Sequence, residues 1–564
     1  MKIGNKKLLI IDSFLSISLI IYFFYTFFST TSNIPINDDY SVLDNFTDIV
    51  NADSFFEKIK LFFKQHNEHR ILYDKLWFFI DYKSSQQVNF NHLSLIGNLS
   101  LLGIFIFFLL KFKEKADNTI YLFPLAVFIF NFSFHENITF AMANLSNFTV
   151  VLFSLLSLHF ITKPNITKKN FILTILFLIL AIFTQGAGLF LILILSVILF
   201  LNKEKKYLFQ FLIISSILIV IYFIDYQKPP NSPEIIETLR NFKFRSFLFS
   251  FSFLGNIFAK NLIFTNDINE SLMISTGVGF LFFVFYLYLI KIKYFRKNLF
   301  VFSVMSLFIL ISFVTGITRS QLGIDMSIAS RYRINSCIFL ICMIFFFIEN
   351  TPKMKINLWY LNSVLLVFTT GYFFAMSFPQ QEYLEFRKKQ NYYGVLSYYN
   401  GNHKNLNGFE QDYYKNVLLK ANASETYFLP TEDLVNKEIN YSNKIDVDLN
   451  NYESNSVSGN IDKIEKLQNS VYIEGWAFID GLNTKDQEIT LAIEDTIQNR
   501  KIFFKGQKFK RYDLNPYFKK ANLESAGCIF RIKNQDLPVN YNKLYLLVDN
   551  KGKKRIFNSK KITQ

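Results

Sequence analysis

Apolar runs long enough to cross a bilayer recur through the first 377 residues, and they decide what this chain can fold into. A run of about 20 apolar residues spans the hydrocarbon core as one helix. Lipid-exposed backbone must satisfy its own hydrogen bonds, so such runs read as helices. The runs fall at roughly 8–28, 92–111, 119–134, 147–162, 170–184, 187–202, 207–225, 272–290, 298–318, 334–349 and 358–377, which predicts about eleven spans. The stretch 170–202 is too long for one helix, and Gln185-Gly186-Ala187-Gly188 at its middle predicts a tight hairpin. The run 246–258 is too short to span and predicts an interfacial or re-entrant segment. Asp12 interrupts the first run near its basic end, within reach of the interface.

Charge then orients the chain. One set of alternate loops carries Lys111, Lys113 and Lys115, then Lys163, Lys168 and Lys169, then Lys203, Lys205 and Lys206. The set continues with Lys291, Lys293, Arg296 and Lys297, then Lys353 and Lys355, and the N-terminus with Lys2, Lys6 and Lys7 belongs to it. The positive-inside rule makes these segments cytoplasmic. An odd span count puts the C-terminal region outside. The formal net charge of +16 thus follows from topology and does not call for a nucleic-acid partner. No small-residue cleavage site follows the first run, so it is expected to be retained. The three cysteines give neither a disulfide framework nor a metal spacing.

In this topology the conspicuous polar residues collect on the outer face. The loop after the first span contains Asn37-Asp38-Asp39-Tyr40 and His66-Asn67-Glu68-His69-Arg70, around an amphipathic stretch (Phe55–Phe63) expected to lie in the interface. Further outer loops contribute His135, Glu136 and Asn137, then Gln185, then Arg319, Asp325, Arg331 and Arg333. Charges beside apolar surface are costly unless solvated or paired, so four loops meeting at one leaflet predict a shared cavity.

Those residue types suit transfer from a lipid-linked donor. A carboxylate, Asp38 or Asp39, is placed to act as general base on an acceptor hydroxyl. Arg331 and Arg333 suit a donor phosphate, because guanidinium matches phosphate oxygens in a two-pronged fork. Blander readings stand beside these. An Asp-Asp pair serves often as a helix cap or turn, Glu68, His69 and Arg70 serve equally as a structural ion-pair network, and the arginines as interfacial anchors. The two histidines of HNEH stand three apart and lack the zinc-protease spacing, so no metal ligand is assigned; a divalent metal is left open without support.

On these residues the region 1–377 resembles bacterial polytopic membrane proteins allied to the GT-C glycosyltransferases. The resemblance rests on NDDY (37–40), NEHR (67–70) before a helix with Trp77, the short hairpins and the late SRYR (330–333). It implies a polyprenyl-phosphate sugar as donor, inversion at the anomeric carbon, and a catalytic acid in the first outer loop, here Asp38 or Asp39. Glu136 is then the secondary candidate. Glu68, His69, Arg70, His135, Gln185, Arg319, Arg331 and Arg333 become substrate-binding candidates. The similarity extends to glucosyltransferases that decorate O-antigen of lipopolysaccharide, which implies a cell-envelope glycan acceptor and a bacterial inner-membrane location. Two alternatives stand beside it, a transporter or flippase for lipid-linked sugars and a non-enzymatic glycan-assembly protein. A transporter would spread its polar groups to mid-depth or show an inverted repeat, so their concentration at one face favours the enzyme.

Beyond residue 377 the chain turns polar. Residues 378–460 predict a helical or irregular extracytoplasmic linker, and 461–564 a small β-sandwich. VYIEGWAFI (471–479), ITLAIED (489–495), KIFFK (501–505), GCIFRI (527–532) and LYLLVDN (544–550) read as its strands. The region is similar to β-sandwich modules at the ends of surface-glycan enzymes, through EGWAFID (474–480) and AGCIFRI (526–532). That likeness offers Trp476 as a sugar platform, against the commoner core tryptophan. The fold class expected is thus an all-α polytopic membrane domain, GT-C-like, followed by a helical linker and an all-β sandwich.

Overall fold

Each apolar run of the first region becomes a helix in the computed structural model, which describes residues 3–558 apart from 115–120, 230–234, 242, 260–267, 355–357, 409, 496, 499, 512–513, 519, 521 and 539. Lys2, Lys115 and Lys355 therefore lie outside the described residues. In chain order the helices are α1 (Ile3–Thr30), α2 (Asp38–Asn51), α3 (Phe55–Phe63), α4 (Leu72–Ser85), α5 (Phe90–Lys113), α6 (Leu122–Ile129), α7 (His135–Ile138), α8 (Ala141–Ile161), α9 (Lys168–Thr184) and α10 (Phe190–Leu201). There follow α11 (Lys205–Phe223), α12 (Ile235–Asn241), α13 (Lys243–Leu254), α14 (Ile268–Lys291), α15 (Leu299–Arg319), α16 (Arg333–Met354) and α17 (Leu358–Tyr372). Polar caps start several of them: Ser54 accepts from Glu57 N, Asn89 from Asn91 N and Asn298 from Val301 N.

Among the described residues seven helices are long and apolar enough to cross a membrane, by length and composition. The other expected spans are shorter or broken. The 119–134 run splits into α6, a 3-10 turn (Phe132–Phe134) and α7 because Asn131 interrupts it. Its side chain accepts from Ser133 N at 2.9 Å and donates to Tyr372 Oη at 2.7 Å. Asp12 does not reach outward; its carboxylate accepts from the amides of Leu122 and Phe123 and caps α6. The 246–258 run forms α13 and a 3-10 turn, with Phe249, Phe253, Leu254 and Ile257 buried in the helical unit and Phe247 exposed. Small residues allow this: a Cβ on Gly279 of α14 would overlap the Phe251 carbonyl, and one on Gly255 would overlap that of Ser275.

The chain divides into two units. The first holds α1–α17 and also Gly408–Leu429, a strap that includes α19 (Gln411–Ala423). The helix before it, α18 (Gln381–Tyr399), carries the chain from the first unit into the second. The linker expected over 378–460 is therefore not one region.

The second unit contains Phe386–Asn407 and Pro430–Gln564. After α20 (Glu432–Glu438) come β1 (Lys444–Ile445), β2 (Val457–Lys466), β3 (Ser470–Ile479), β4 (Glu488–Asp495), β5 (Arg500–Lys505), β6 (Gln507–Phe509), β7 (Gly527–Lys533), β8 (Tyr541–Asn550) and β9 (Lys553–Asn558). They form a five-stranded sheet, β1-β5-β4-β8-β9, and a four-stranded one, β2-β3-β7-β6. Val471, Ile473 and Ala477 on β3 and Leu544, Leu546 and Val548 on β8 fill one core, with the two-residue period of a half-buried strand. The C-terminal half of α18 packs in this unit, with Tyr393 stacked on Tyr472 at 4.0 Å.

Candidate functional site

The loop between α1 and α5 is built on two turns. In the first, Asp39 N donates to Ile36 O at 3.0 Å, and Asn37 holds φ 47° and ψ −114°. In the second, His66 and His69 exchange both backbone hydrogen bonds, at 2.9 and 2.8 Å, and Asn67 holds φ 47°. The first is the geometry of a type II′ turn, a shape that favours glycine, and the second shares its positive φ at the same position. Both turns use asparagine there instead, which tolerates positive φ at some strain. Each turn places an acid in the next position, Asp38 and Glu68.

The two acids of NDDY have separate roles. Asp39 is buried, and its carboxylate accepts from Ile36 N at 3.1 Å and Met142 N at 2.9 Å, tying α2 to the first turn of α8. Asp38 is partly buried, and its carboxylate makes no hydrogen bond among the described residues. Burial pushes its pKa up, and the charges of Arg331 and Arg319 pull it back down. An acid that has shed its hydrogen-bond donors but kept cations nearby is a better base than one saturated by amides.

Beside the second turn lies a cavity of about 1260 Å³, with Asn67, Glu68 and His69 in its lining; Asp38 is not part of that lining. Glu68, His69, Gln185 and Arg319, expected from separated places in the sequence, contribute to its lining. Arg319 and Glu68 form an ion pair there. His69 has a buried Nδ1 with no hydrogen-bond partner among the described residues, and burial lowers its pKa to about 4, so the ring is neutral at neutral pH. Gly186 presses on that ring; a Cβ would stand 2.8 Å from His69 Nδ1 and 3.0 Å from Tyr222 Oη. Gln185 donates to Asn147 at 2.7 Å, Asn147 to Asn137 at 3.0 Å, and Asn137 to the Arg331 carbonyl at 3.2 Å. This amide chain carries the hairpin's position to the SRYR segment.

The wall grades from apolar to polar. On α15 the lining residues Phe308, Ile311, Val314, Thr315, Thr318 and Arg319 share one face. From Phe308 to Arg319 is about 16 Å along the helix axis at 1.5 Å per residue. Asn147, Val150, Val151 and Ser154 repeat the pattern on α8, polar at the end nearest α7. Lys228, exposed and beyond the end of α11, adds a cation to the lining. Lys228, Asn147 and Tyr332 were not singled out from the sequence. Tyr332 lies within SRYR, but nothing in the local pattern marks Lys228 or Asn147, because only tertiary packing brings them to the cavity.

The remaining candidates lie elsewhere or are occupied. Arg70 donates to the carbonyls of Phe63, Tyr222 and Ile224, so it clasps the end of α11 rather than facing a substrate. Arg333 is buried and donates to Asn256 at 3.2 Å and to the Ser133 carbonyl at 3.3 Å, which removes it from phosphate binding. Glu136 accepts from Arg331 N, and its own amide donates to Ser330, both at 3.0 Å. That pairing makes Glu136 the brace of the SRYR turn. His135 is buried against the edge of Tyr383. Arg331 lies over the Tyr332 ring at 5.3 Å with Nε buried and without a hydrogen-bond partner among the described residues, within the fields of Glu136 and Asp38. In the second unit Trp476 is 9% exposed and packs with Phe478 and Phe518, a core position and not an open platform.

Comparison with known proteins adds no assignment: no family profile, curated protein or solved structure matches this chain.

Proposed function

We propose that the protein is an inverting glycosyltransferase of the bacterial cytoplasmic membrane. It takes a sugar from a polyprenyl-phosphate donor and passes it to a cell-envelope glycan on the outer face, and Asp38 is the general base. The observation that carries the reading is the cavity itself, a polar, cation-bearing mouth continuous with an apolar wall on α8 and α15. Asp38 stands outside its lining but within the field of the lining residue Arg319, and its carboxylate makes no hydrogen bond among the described residues. A phosphate headgroup with an isoprenoid tail has the same division of polarity. The lysine-rich loops are cytoplasmic, the spans number about eleven, and the turns of Asp38 and Glu68 face outward.

In the reaction the acceptor oxygen attacks the anomeric carbon and its proton passes to Asp38. The bond from that carbon to the phosphate oxygen breaks, and the electron pair leaves with the phosphate. Arg319 and Lys228 meet the leaving charge, and the neutral His69 offers a hydrogen bond at the same mouth. Since Arg319 is already paired with Glu68, the arriving phosphate competes with that carboxylate for the guanidinium.

The test uses the purified full-length protein in lipid nanodiscs with a panel of polyprenyl-phosphate hexoses, together with surface-glycan mass in a strain carrying or lacking the gene. Donor-dependent consumption and a hexose-sized increment in the glycan, both lost in Asp38→Asn, are expected. A wild type that consumes no donor and leaves the glycan mass unchanged overturns the reading and moves transport ahead.

A further inference from the structure

The strap Gly408–Leu429 returns to the first unit after the chain has left it, and it lands on the helix that begins with Asp38. The landing is specific. Tyr40, Asp44, Thr47, Asp48 and Asn51 form one stripe of α2 at helical spacing, and each is met by a strap residue. The Tyr414 ring stacks on Tyr40 at 4.1 Å with 12° between planes. Lys420 pairs with Asp44 at 2.5 Å and Asp48 at 2.6 Å, and Tyr413 donates to Asp44 at 3.1 Å. The hydroxyls of Thr426 and Thr47 lie 3.0 Å apart, and Asn51 donates to Ser424 at 2.7 Å.

The strap also holds what flanks α2. Tyr427 donates to Asn33 O at 2.8 Å, just before the Asp38 turn, and Val88 N donates to Thr426 O at 2.8 Å, just before α5. Without these contacts α2 is fixed near its start by Asp39 and by packing on its other faces, while its stripe of two acids and a buried tyrosine stands uncompensated. Chemical positioning is sensitive at this scale, since a displacement of about 1 Å costs on the order of 100-fold in rate.

We infer that α19 is part of the catalytic apparatus, and that Tyr414 and Lys420 are positioning residues that hold α2 so that Asp38 meets the acceptor. The inference rests on Asp38 being the base. It also gives the polar region after the last span a role in turnover, and not only in presenting the β-sandwich.

The experiment uses the full-length protein at matched membrane levels. Tyr414→Ala and Lys420→Ala are each expected to lower kcat about 10- to 100-fold with donor KM unchanged, and to speed amide hydrogen exchange in 38–51. A further variant, Thr47→Cys with Thr426→Cys, closes the strap on α2 by oxidation. In the Tyr414→Ala background that cross-link is expected to restore most of the lost kcat, which a misfolded variant cannot do. Wild-type kcat in both alanine variants alongside faster exchange in α2 overturns the inference, as does a cross-link that abolishes wild-type turnover. If the wild type itself turns over no donor, the enzyme reading fails instead, and the inference fails with it.

Discussion

The two turns of the first loop use one backbone device for opposite ends. Ile36–Asp39 and His66–His69 each put an asparagine at φ 47° and an acid directly after it. Glu68 is committed to Arg319, and so joins the loop to the end of α15. Asp38 faces cations but accepts no hydrogen bond among the described residues. The difference teaches that residue type and turn geometry are not enough to mark a reacting acid. What separates the two carboxylates is whether a partner has already taken the lone pairs.

Removing each carboxyl should separate them most sharply. Asp38→Asn keeps the volume and removes the base, and kcat is expected to fall by about 10²- to 10⁴-fold with little change in donor KM. Glu68→Gln breaks an ion pair whose partners are both about a third exposed, worth about 1 kcal/mol. Its effect is expected within about tenfold, and falls on donor KM because Arg319 is freed for phosphate. Equal losses of kcat in the two variants would show that the turns do not differ in function, and the assignment of the base would fall.

The pH profile tests the same contrast from the electrostatic side. Asp38 acts as base only when ionised, so activity is present above its pKa and lost as pH falls through it. Burial raises that pKa, which places the acid limb of kcat/KM above the range of an exposed aspartate. Arg331 holds the pKa down, so Arg331→Gln should move the limb to higher pH and Arg331→Lys should leave it close to the wild-type position. Glu68→Gln should not move it in this way. A limb unmoved by Arg331→Gln would mean that another group titrates there.

How far these features could be read from the sequence depends on the range of the interaction behind each. Helices came from local apolar periodicity, and β3, β4, β5, β7 and β8 from short apolar strands, so both were legible. β2 was not, because a bulge between Ile461 and Lys463 shifts the spacing of its apolar residues, Ile461 and Ile464, from two to three. The break in the 119–134 run hangs on Asn131, whose partner Tyr372 lies 241 residues away in the chain, and on Phe132, whose amide donates to Ser377, 245 residues away. The gathering of Glu68, His69, Gln185 and Arg319 was legible in outline because charged groups in an apolar chain need a common refuge. Which of Asp38 and Asp39 was the cap was not, since that depends on the amide of Met142. The strap was illegible for the same reason: Lys420 is one lysine among many until α2 is folded beneath it.

The smallest effect concerns the turns themselves. A non-glycine residue in such a conformation costs on the order of 1–3 kcal/mol, while glycine there loses roughly 0.5–1 kcal/mol to the greater freedom of the unfolded chain. Asn37→Gly and Asn67→Gly are therefore each expected to stabilise the protein slightly, by about 1 kcal/mol, read as a raised Tm in detergent. Function should divide them again. At Asn67 the gain should leave kcat unchanged, because the Glu68–Arg319 pair still fixes the acid. At Asn37 no hydrogen bond among the described residues holds the Asp38 carboxylate, so its direction depends on the turn together with α2 behind it, and glycine should lower kcat a few-fold while Tm rises. If both variants gain stability and neither loses turnover, the Asn37 turn is only a way into α2, and Asp38 is held by α2 and the strap.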